Sequence, residues 1–160
     1  MKQTLKKTMT VLTLIGSMST FAATTGDITI SGTVAPELEL SLSATTYTTL
    51  PIVAGGSATV ATANEVCNNL DGYKIYGHAL NGALENQSNT AVSTTYDIDY
   101  GSSTGVTLGV GSVNRVELKD SGTLLASADV DEDIVVNVDA FATAPAGTYQ
   151  DTITLVIEAN

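Results

Sequence analysis

Short stretches in which apolar and polar residues alternate recur along this chain, and this feature limits its possible folds more than any other. Every second residue is apolar in the stretches 38–42, 96–100, 134–140 and 153–157. Successive side chains of a β-strand point to opposite faces of a sheet, so a period of two predicts strands that each bury one face. No long window has the i, i+3, i+4, i+7 spacing of an amphipathic helix, and we therefore expect few helices.

Turn-forming residues separate these stretches at short intervals. They are Gly55-Gly56, Asn68-Asn69, Asp71-Gly72, Asn81-Gly82, Gly101-Ser102, 120–122 and 145–147. Many short strands with closely spaced turns predict an all-β fold, and we expect a β-sandwich in one domain. The turn at 120–122 is predicted to join strands at 113–119 and 123–126. The polar stretch 85–91 is predicted to be an exposed loop, and residues 148–158 a long final strand.

The first residues have the pattern of a secretion signal. Three lysines within the first seven residues precede a short apolar run at 11–16 and small residues at 20–23. We predict a signal peptide at residues 1–22, because the apolar run is too short and too rich in Thr and Ser to span a membrane.

The remaining 138 residues have the size of one domain. Their net charge is −14, since three of the six basic residues leave with the signal while all 17 acidic residues stay. Such an acidic surface argues against nucleic acid as a partner.

Three features that could carry chemistry have simpler interpretations. Cys67 is the only cysteine, so the chain cannot form an internal disulfide, and we expect a small buried apolar residue. His78 is the only histidine and is expected to face solvent or a partner. The acidic cluster 129–133 lacks the glycine and the spacing of a calcium loop, so we expect a solvated turn. The motifs of nucleophilic catalysis, phosphate binding and paired histidine ligands are absent, so we predict no enzyme activity, no cofactor and no metal site.

The residues that follow the predicted signal form another alternating segment. Ile28, Ile30 and Val34 lie on one face together with Gly32, and hydroxyl side chains lie on the other. Pro36 lacks an N–H donor and separates this predicted strand, residues 23–35, from the domain at 36–160. The pattern alone is compatible with an ordinary edge strand or with a strand that pairs with another molecule.

Three parts of the chain together resemble bacterial chaperone–usher pilins. The first is Asp27-Ile-Thr-Ile-Ser-Gly-Thr-Val34. The second is Glu65-Val-Cys-Asn-Asn-Leu-Asp-Gly-Tyr-Lys-Ile75, followed by Asn81-Gly-Ala-Leu84 and Thr95-Tyr-Asp-Ile-Asp-Tyr100, an order that resembles the spore coat U-like pilins. The third is the ending Pro145-Ala-Gly-Thr-Tyr-Gln-Asp-Thr-Ile-Thr-Leu-Val-Ile157. The early cysteine that many of these pilins pair is absent from 37–41. Colonisation-factor pilins also lack that disulfide and begin similarly, so the subfamily stays open.

The resemblance implies an incomplete immunoglobulin-like β-sandwich that lacks its last strand and exposes an apolar groove beside its C-terminal strand. A periplasmic chaperone covers such a groove during transit. In the fibre, the N-terminal strand of the next subunit replaces the chaperone, by donor-strand exchange. Carried onto this chain, the donor strand would present Ile28, Ile30, Gly32 and Val34. The acceptor groove would be lined by Ile153, Leu155 and Ile157.

The implied function is that of a structural subunit of a bacterial surface pilus that supports adhesion or biofilm formation. Its partners would be further pilin subunits in a homopolymer, the periplasmic chaperone, an outer-membrane usher, and host or abiotic surfaces. Its location would be extracellular, reached through the periplasm. The alternative is a stand-alone secreted β-sandwich that binds a carbohydrate or a protein. A self-complemented monomer would mark that binding module, and heat-labile, non-covalent polymers would mark the pilin. A two-domain tip adhesin would need an additional N-terminal lectin domain, for which 138 residues leave no room.

Overall fold

The described part of this computed structural model, residues 25–160, is built almost entirely from antiparallel β-strands. The strands are β1 Leu38–Leu42, β2 Gly56–Cys67, β3 Tyr73–Ala79, β4 Leu84–Asn86, β5 Asn89–Thr94, β6 Tyr96–Tyr100, β7 Ser103–Val106, β8 Val116–Asp120, β9 Ala128–Val138, β10 Tyr149–Gln150 and β11 Ile153–Ala159. Within these residues, the helical content is a single 3₁₀ turn at Ser112–Asn114. No helix in this range is long and apolar enough to cross a membrane. The predicted signal peptide, residues 1–22, lies outside the described residues.

Residues 34–160 form two layers of sheet. The first layer is a five-stranded sheet with the order β1-β2-β9-β6-β7. The second layer contains two three-stranded sheets, with the orders β11-β3-β8 and β10-β4-β5. Both layers supply the core, whose fully buried members include Ala63, Cys67, Tyr73, Ile75, Ile98, Tyr100, Leu118 and Val136. This architecture confirms the predicted all-β fold and is consistent with an immunoglobulin-like sandwich.

The long pair β2–β9 shows why alternation predicted these strands correctly. The two strands pair from Gly56 opposite Val138 to Cys67 opposite Ala128, with one irregularity between Thr59 and Ala61. Along the second half of β9, every second side chain is buried in the core while its neighbours are not. Cys67 is fully buried and makes no disulfide, as the sequence predicted.

Several local predictions were wrong. The stretch 85–91 is not a loop, because it contributes to the hairpin β4–β5, in which the Asn86 side chain is buried. Residues 123–126 form no strand, and the strand before the turn begins at Val116. The predicted final strand is divided into β10 and β11 by a break at 151–152.

The acidic cluster 129–133 lies in strand β9, and the predicted turn was therefore wrong. Asp129, Asp131 and Asp133 are exposed on the outer face of the sheet, so the strand keeps them solvated. Asn64 on the neighbouring strand donates hydrogen bonds to Asp129 and Asp131, at 2.8 and 2.9 Å. Among residues 25–160, no three His, Cys, Asp or Glu side chains are placed to hold a metal ion.

Candidate functional site: an open groove beside the last strand

Among the described residues, the last strand is hydrogen-bonded to another strand on one side only. β11 pairs with β3 along its whole length, from Ile153 opposite Ala79 to Ala159 opposite Tyr73. It stands at the edge of its sheet, whose order is β11-β3-β8. An edge strand presents unpaired N–H and C=O groups to whatever lies beside it. This edge could therefore accept a further strand.

The hydrogen-bond pattern shows which residues face the open edge. The C=O of Thr152 accepts a hydrogen bond from the N–H of Leu80 at 2.9 Å, in the same register as β11. Alternate residues of an antiparallel strand direct their backbone groups to opposite edges, so the even-numbered residues face β3. The backbone groups that point to the open edge therefore belong to Ile153, Leu155 and Ile157.

An apolar groove with a volume of about 630 Å³ lies beside β10 and the start of β11. Residues 44–48, which follow β1, line it as well, and its remaining lining comes from the inner faces of both layers. The large apolar side chains that line it are Leu42, Leu50, Ile52, Val60, Leu84, Tyr96, Ile134, Val136, Ile153 and Leu155. Several of these side chains are only half-buried, although they pack against the core. The core of the sandwich is thus open to solvent between its two layers.

The three predicted acceptor residues are placed together, but only two of them line the groove. Ile153 and Leu155 belong to its lining, whereas Ile157, further along β11, does not. All three side chains are half-buried against the core. Completing the burial of each would contribute on the order of 1 kcal/mol, about half of what full burial of such a side chain gives. Their role as acceptors stays a prediction.

The predicted donor residues lie in a segment that forms no strand in this single chain. Residues 25–37 have no regular secondary structure. Ile28, Ile30 and Val34 are 89%, 92% and 85% exposed, and Gly32 has no atom within 4 Å of the position that a Cβ would occupy. Exposed aliphatic side chains at alternate positions are what a strand that pairs elsewhere would present, and this role too stays a prediction.

Asp151 holds the break between β10 and β11 in place, a role that no pattern in the sequence predicted. Its carboxylate accepts hydrogen bonds from the backbone N–H groups of Asn81, Gly82 and Thr152, at 2.9, 2.9 and 2.7 Å. The hydroxyl of Tyr96 donates to the same carboxylate at 2.9 Å. Burial, and then this hydrogen bond, raise the pKa of Tyr96. Asp151 thereby ties one end of the groove to the loop that follows β3.

The sequence also did not predict a buried charged cluster between the two layers. Glu65 is fully buried on β2, and its carboxylate accepts hydrogen bonds from the hydroxyls of Tyr73, at 2.5 Å, and Tyr100. The Lys119 ammonium donates to Glu65 at 2.6 Å and to Glu132 at 2.7 Å. Burial, and then the hydrogen bond to Glu65, raise the pKa of Tyr73 to about 12. Because every partner is hydrogen-bonded, the cluster resembles a structural link between the layers more than a reactive site.

On the outer face of the second layer, the side chain of Arg115 connects three strands. Arg115 lies over the ring of Tyr76, 4.3 Å from its centroid, and donates two hydrogen bonds to Glu158 at 2.5 and 2.9 Å. The side chain of Arg115 thus spans β3 and joins the start of β8 to β11. His78 lies on the same strand as Tyr76, as predicted for a strand residue, and is half-buried with its Nδ1 buried and unpaired; that it faces solvent or a partner stays a prediction.

Comparison with known proteins gives little beyond the fold. No family model matches the chain, and no curated protein matches it. One solved structure that is similar to it is the complex of CsuC and CsuE, the chaperone–tip adhesion subunit pre-assembly complex from archaic chaperone-usher Csu pili of Acinetobacter baumannii. The similarity has a TM-score of 0.48 at 21% identity and covers 79% of this chain and 40% of the matched chain. This chain thus spans less than half of the length of that one.

Proposed function

We propose that this chain is a structural subunit of a bacterial surface pilus that polymerises by donor-strand exchange. The observation that carries the proposal is the apolar groove beside β11. Along this strand, the residues whose backbone N–H and C=O groups have no partner strand also have half-buried aliphatic side chains. A strand added there would pair with the open edge and fill the groove with alternate side chains. The exposed segment around Ile28 and Ile30 has the matching alternation.

An open groove of this kind needs a cover before assembly. Exposed apolar surface beside an unpaired strand edge promotes aggregation. A periplasmic chaperone would cover the groove after the signal peptide has directed the chain to the periplasm, and an outer-membrane usher would deliver it to the fibre. The fibre would support adhesion to host or abiotic surfaces or biofilm formation.

The test compares two substitutions in neighbouring positions of the donor segment. Ile30→Asp would place a carboxylate in the apolar groove of the next subunit, at a cost of several kcal/mol. Thr29→Asp, the matched control, points to the opposite face of the same strand. We expect Ile30→Asp to abolish the ladder of heat-labile polymers from cells that express the chain with its assembly genes, and Thr29→Asp to leave most of it.

The donor subunit should stay folded in both variants, because Ile30 is 92% exposed in its own chain. Equal yields of chaperone-bound subunit would establish this. If both variants polymerise like the unchanged chain, strand donation is not how this protein assembles. A monomer without polymers in the unchanged chain would favour the stand-alone binding module.

A further inference from the structure

An asparagine–glycine pair lies in the loop that follows β3. Asn81 is exposed to solvent, and it is the only asparagine of the chain that precedes a glycine. In such a pair, the backbone nitrogen of the glycine can attack the side-chain amide of the asparagine, because glycine has no side chain to shield that nitrogen. Asn81 and Gly82 therefore place an electrophile and a nucleophile side by side.

The fold requires glycine at position 82. Its φ is 76°, in the left-handed region that residues with a side chain disfavour. A Cβ at this position would also lie 2.8 Å from Val110 Cγ2, closer than two carbon atoms pack. The loop that carries Val110 is held in place by the N–H of Gly111, which donates to the C=O of Ala79 at 2.9 Å. A bulkier residue that would shield the backbone nitrogen therefore does not fit here.

A carboxylate lies directly at the nitrogen that would attack. Asp151 Oδ2 accepts a hydrogen bond from the N–H of Gly82 at 2.9 Å, and Oδ1 accepts one from the N–H of Asn81 at 2.9 Å. A general base must lie within hydrogen-bonding distance of the proton that it removes, and Asp151 meets this condition. The hydroxyl of Tyr96 donates to the same Oδ2 at 2.9 Å, which fixes the orientation of the carboxylate.

We propose that Asn81 is a site of deamidation that the folded chain catalyses itself, with Asp151 as the general base. The backbone nitrogen of Gly82 forms a bond to Cγ of Asn81 while Asp151 takes its proton. The bond between Cγ and Nδ2 then breaks, and the side-chain nitrogen leaves as ammonia with that proton. Water opens the resulting five-membered succinimide ring to aspartate or isoaspartate. The net reaction consumes one water molecule and releases one ammonia molecule.

The product changes the loop at one end of the groove. Deamidation places a new carboxylate on residue 81, whose backbone N–H is itself bonded to Asp151. Two neighbouring negative charges repel each other, and isoaspartate also lengthens the backbone by one carbon atom. Both effects weaken the link between Asp151, which lines the groove, and the loop after β3. The conversion accumulates with the age of the folded chain and does not depend on the proposed strand exchange.

The test measures how fast Asn81 is converted in the purified folded chain at neutral pH and body temperature. Samples are digested at intervals, and mass spectrometry gives the fraction of the peptide in which an NH₂ group has become OH. The reference is a synthetic peptide of residues 77–86 in the same buffer, which contains the pair but not Asp151. We expect conversion in the folded chain to be at least ~10-fold faster, below the ~100-fold that a well-placed general base contributes, because other donors share this carboxylate.

Two variants separate the role of Asp151 from that of the loop. Asp151→Asn keeps the size of the side chain but removes the base, and conversion should slow to about the rate of the peptide. Asp139→Asn is the matched control, since this carboxylate accepts a hydrogen bond from Thr95 instead, and its rate should equal that of the unchanged chain. A cooperative urea transition shows that each variant is folded. Equal rates in the two variants, or an unchanged chain no faster than the peptide, would overturn the proposal; if Asp151→Asn does not fold, the comparison with the peptide decides alone.

Discussion

Replacing Glu65 with glutamine is expected to lower the free energy of unfolding by about 3 kcal/mol. The carboxylate is fully buried and accepts hydrogen bonds from two tyrosine hydroxyls and from Lys119. The amide of glutamine offers one acceptor oxygen instead of two; with that oxygen at Lys119 and Tyr73, its N–H groups face the Tyr100 hydroxyl, and the buried ammonium loses a charged partner. Removing one partner of a buried ion pair costs about 3–5 kcal/mol. We expect the lower part of this range, because Glu132 remains as a partner of Lys119.

Glu117→Gln is the matched control, since it makes the same chemical change in a surface pair. Glu117 lies 2.8 Å from Lys74, and the two side chains are 46% and 32% exposed. Exposed pairs of this kind contribute much less to stability than buried ones, because water and salt screen the two charges. The measurement is urea unfolding at neutral pH, where both variants should keep the m-value of the unchanged chain. Equal losses in the two variants would refute the reasoning, because burial would then have added nothing to the cost.

Two further results are expected. First, the unfolding midpoint should be constant between neutral pH and about pH 10 and fall as the pH approaches about 12. Burial and the hydrogen bond to Glu65 raise the pKa of Tyr73 to about 12. Burial lowers the pKa of Lys119, but its hydrogen bonds to two carboxylates outweigh this effect and raise the pKa to about 12. Both groups thus bind their proton more tightly in the folded protein than in the unfolded chain. The stabilisation is therefore complete below their usual pKa values of 10.0 and 10.5 and is lost toward pH 12. An unfolding midpoint that rises between pH 10 and pH 12 would contradict the argument. Second, Gly72→Ala should cost more than Gly122→Ala by at least ~2 kcal/mol in the same unfolding assay. Both glycines have positive φ, at 81° and 61°, but a Cβ on Gly72 would lie 1.8 Å from the C=O oxygen of Gly122, whereas Gly122 faces open space.

Most of the strands that the sequence predicted correctly bury one face. The runs that became β6 and the second half of β9 alternate because their inner side chains meet the core, whereas in β1 only Leu40 is half-buried and Leu38 and Leu42 are exposed. The hairpin β4–β5 was missed because its side chains are mostly polar, and its main-chain pairing rather than apolar contact defines it. The acidic start of β9 was missed for a related reason, since a strand with a solvated outer face tolerates consecutive acidic residues.

The site shows a second limit of sequence reasoning. Ile153 and Leu155 could be placed beside a groove because both belong to one alternating strand. The opposite lining at 44–48 has no such pattern, and nothing in the sequence connects it to β11. The cluster around Glu65 joins residues that are 8, 35 and 54 positions apart. Such contacts depend on which strands become neighbours, and alternation within a strand carries no information about that.

The contacts of Arg115, which connect β8, β3 and β11, have a mechanical consequence. A pull on a strand seated along β11 would act parallel to the strand axes. The hydrogen bonds between β11 and β3 would then carry the load together, in shear, instead of breaking one after another as in peeling. Arg115 donates two hydrogen bonds to Glu158 near the C-terminal end of β11 and stacks on the ring of Tyr76 in β3. These contacts add a lateral link to the strand that would bear the tension. The last strand of this domain is thus attached in the geometry that best resists sliding out of its sheet.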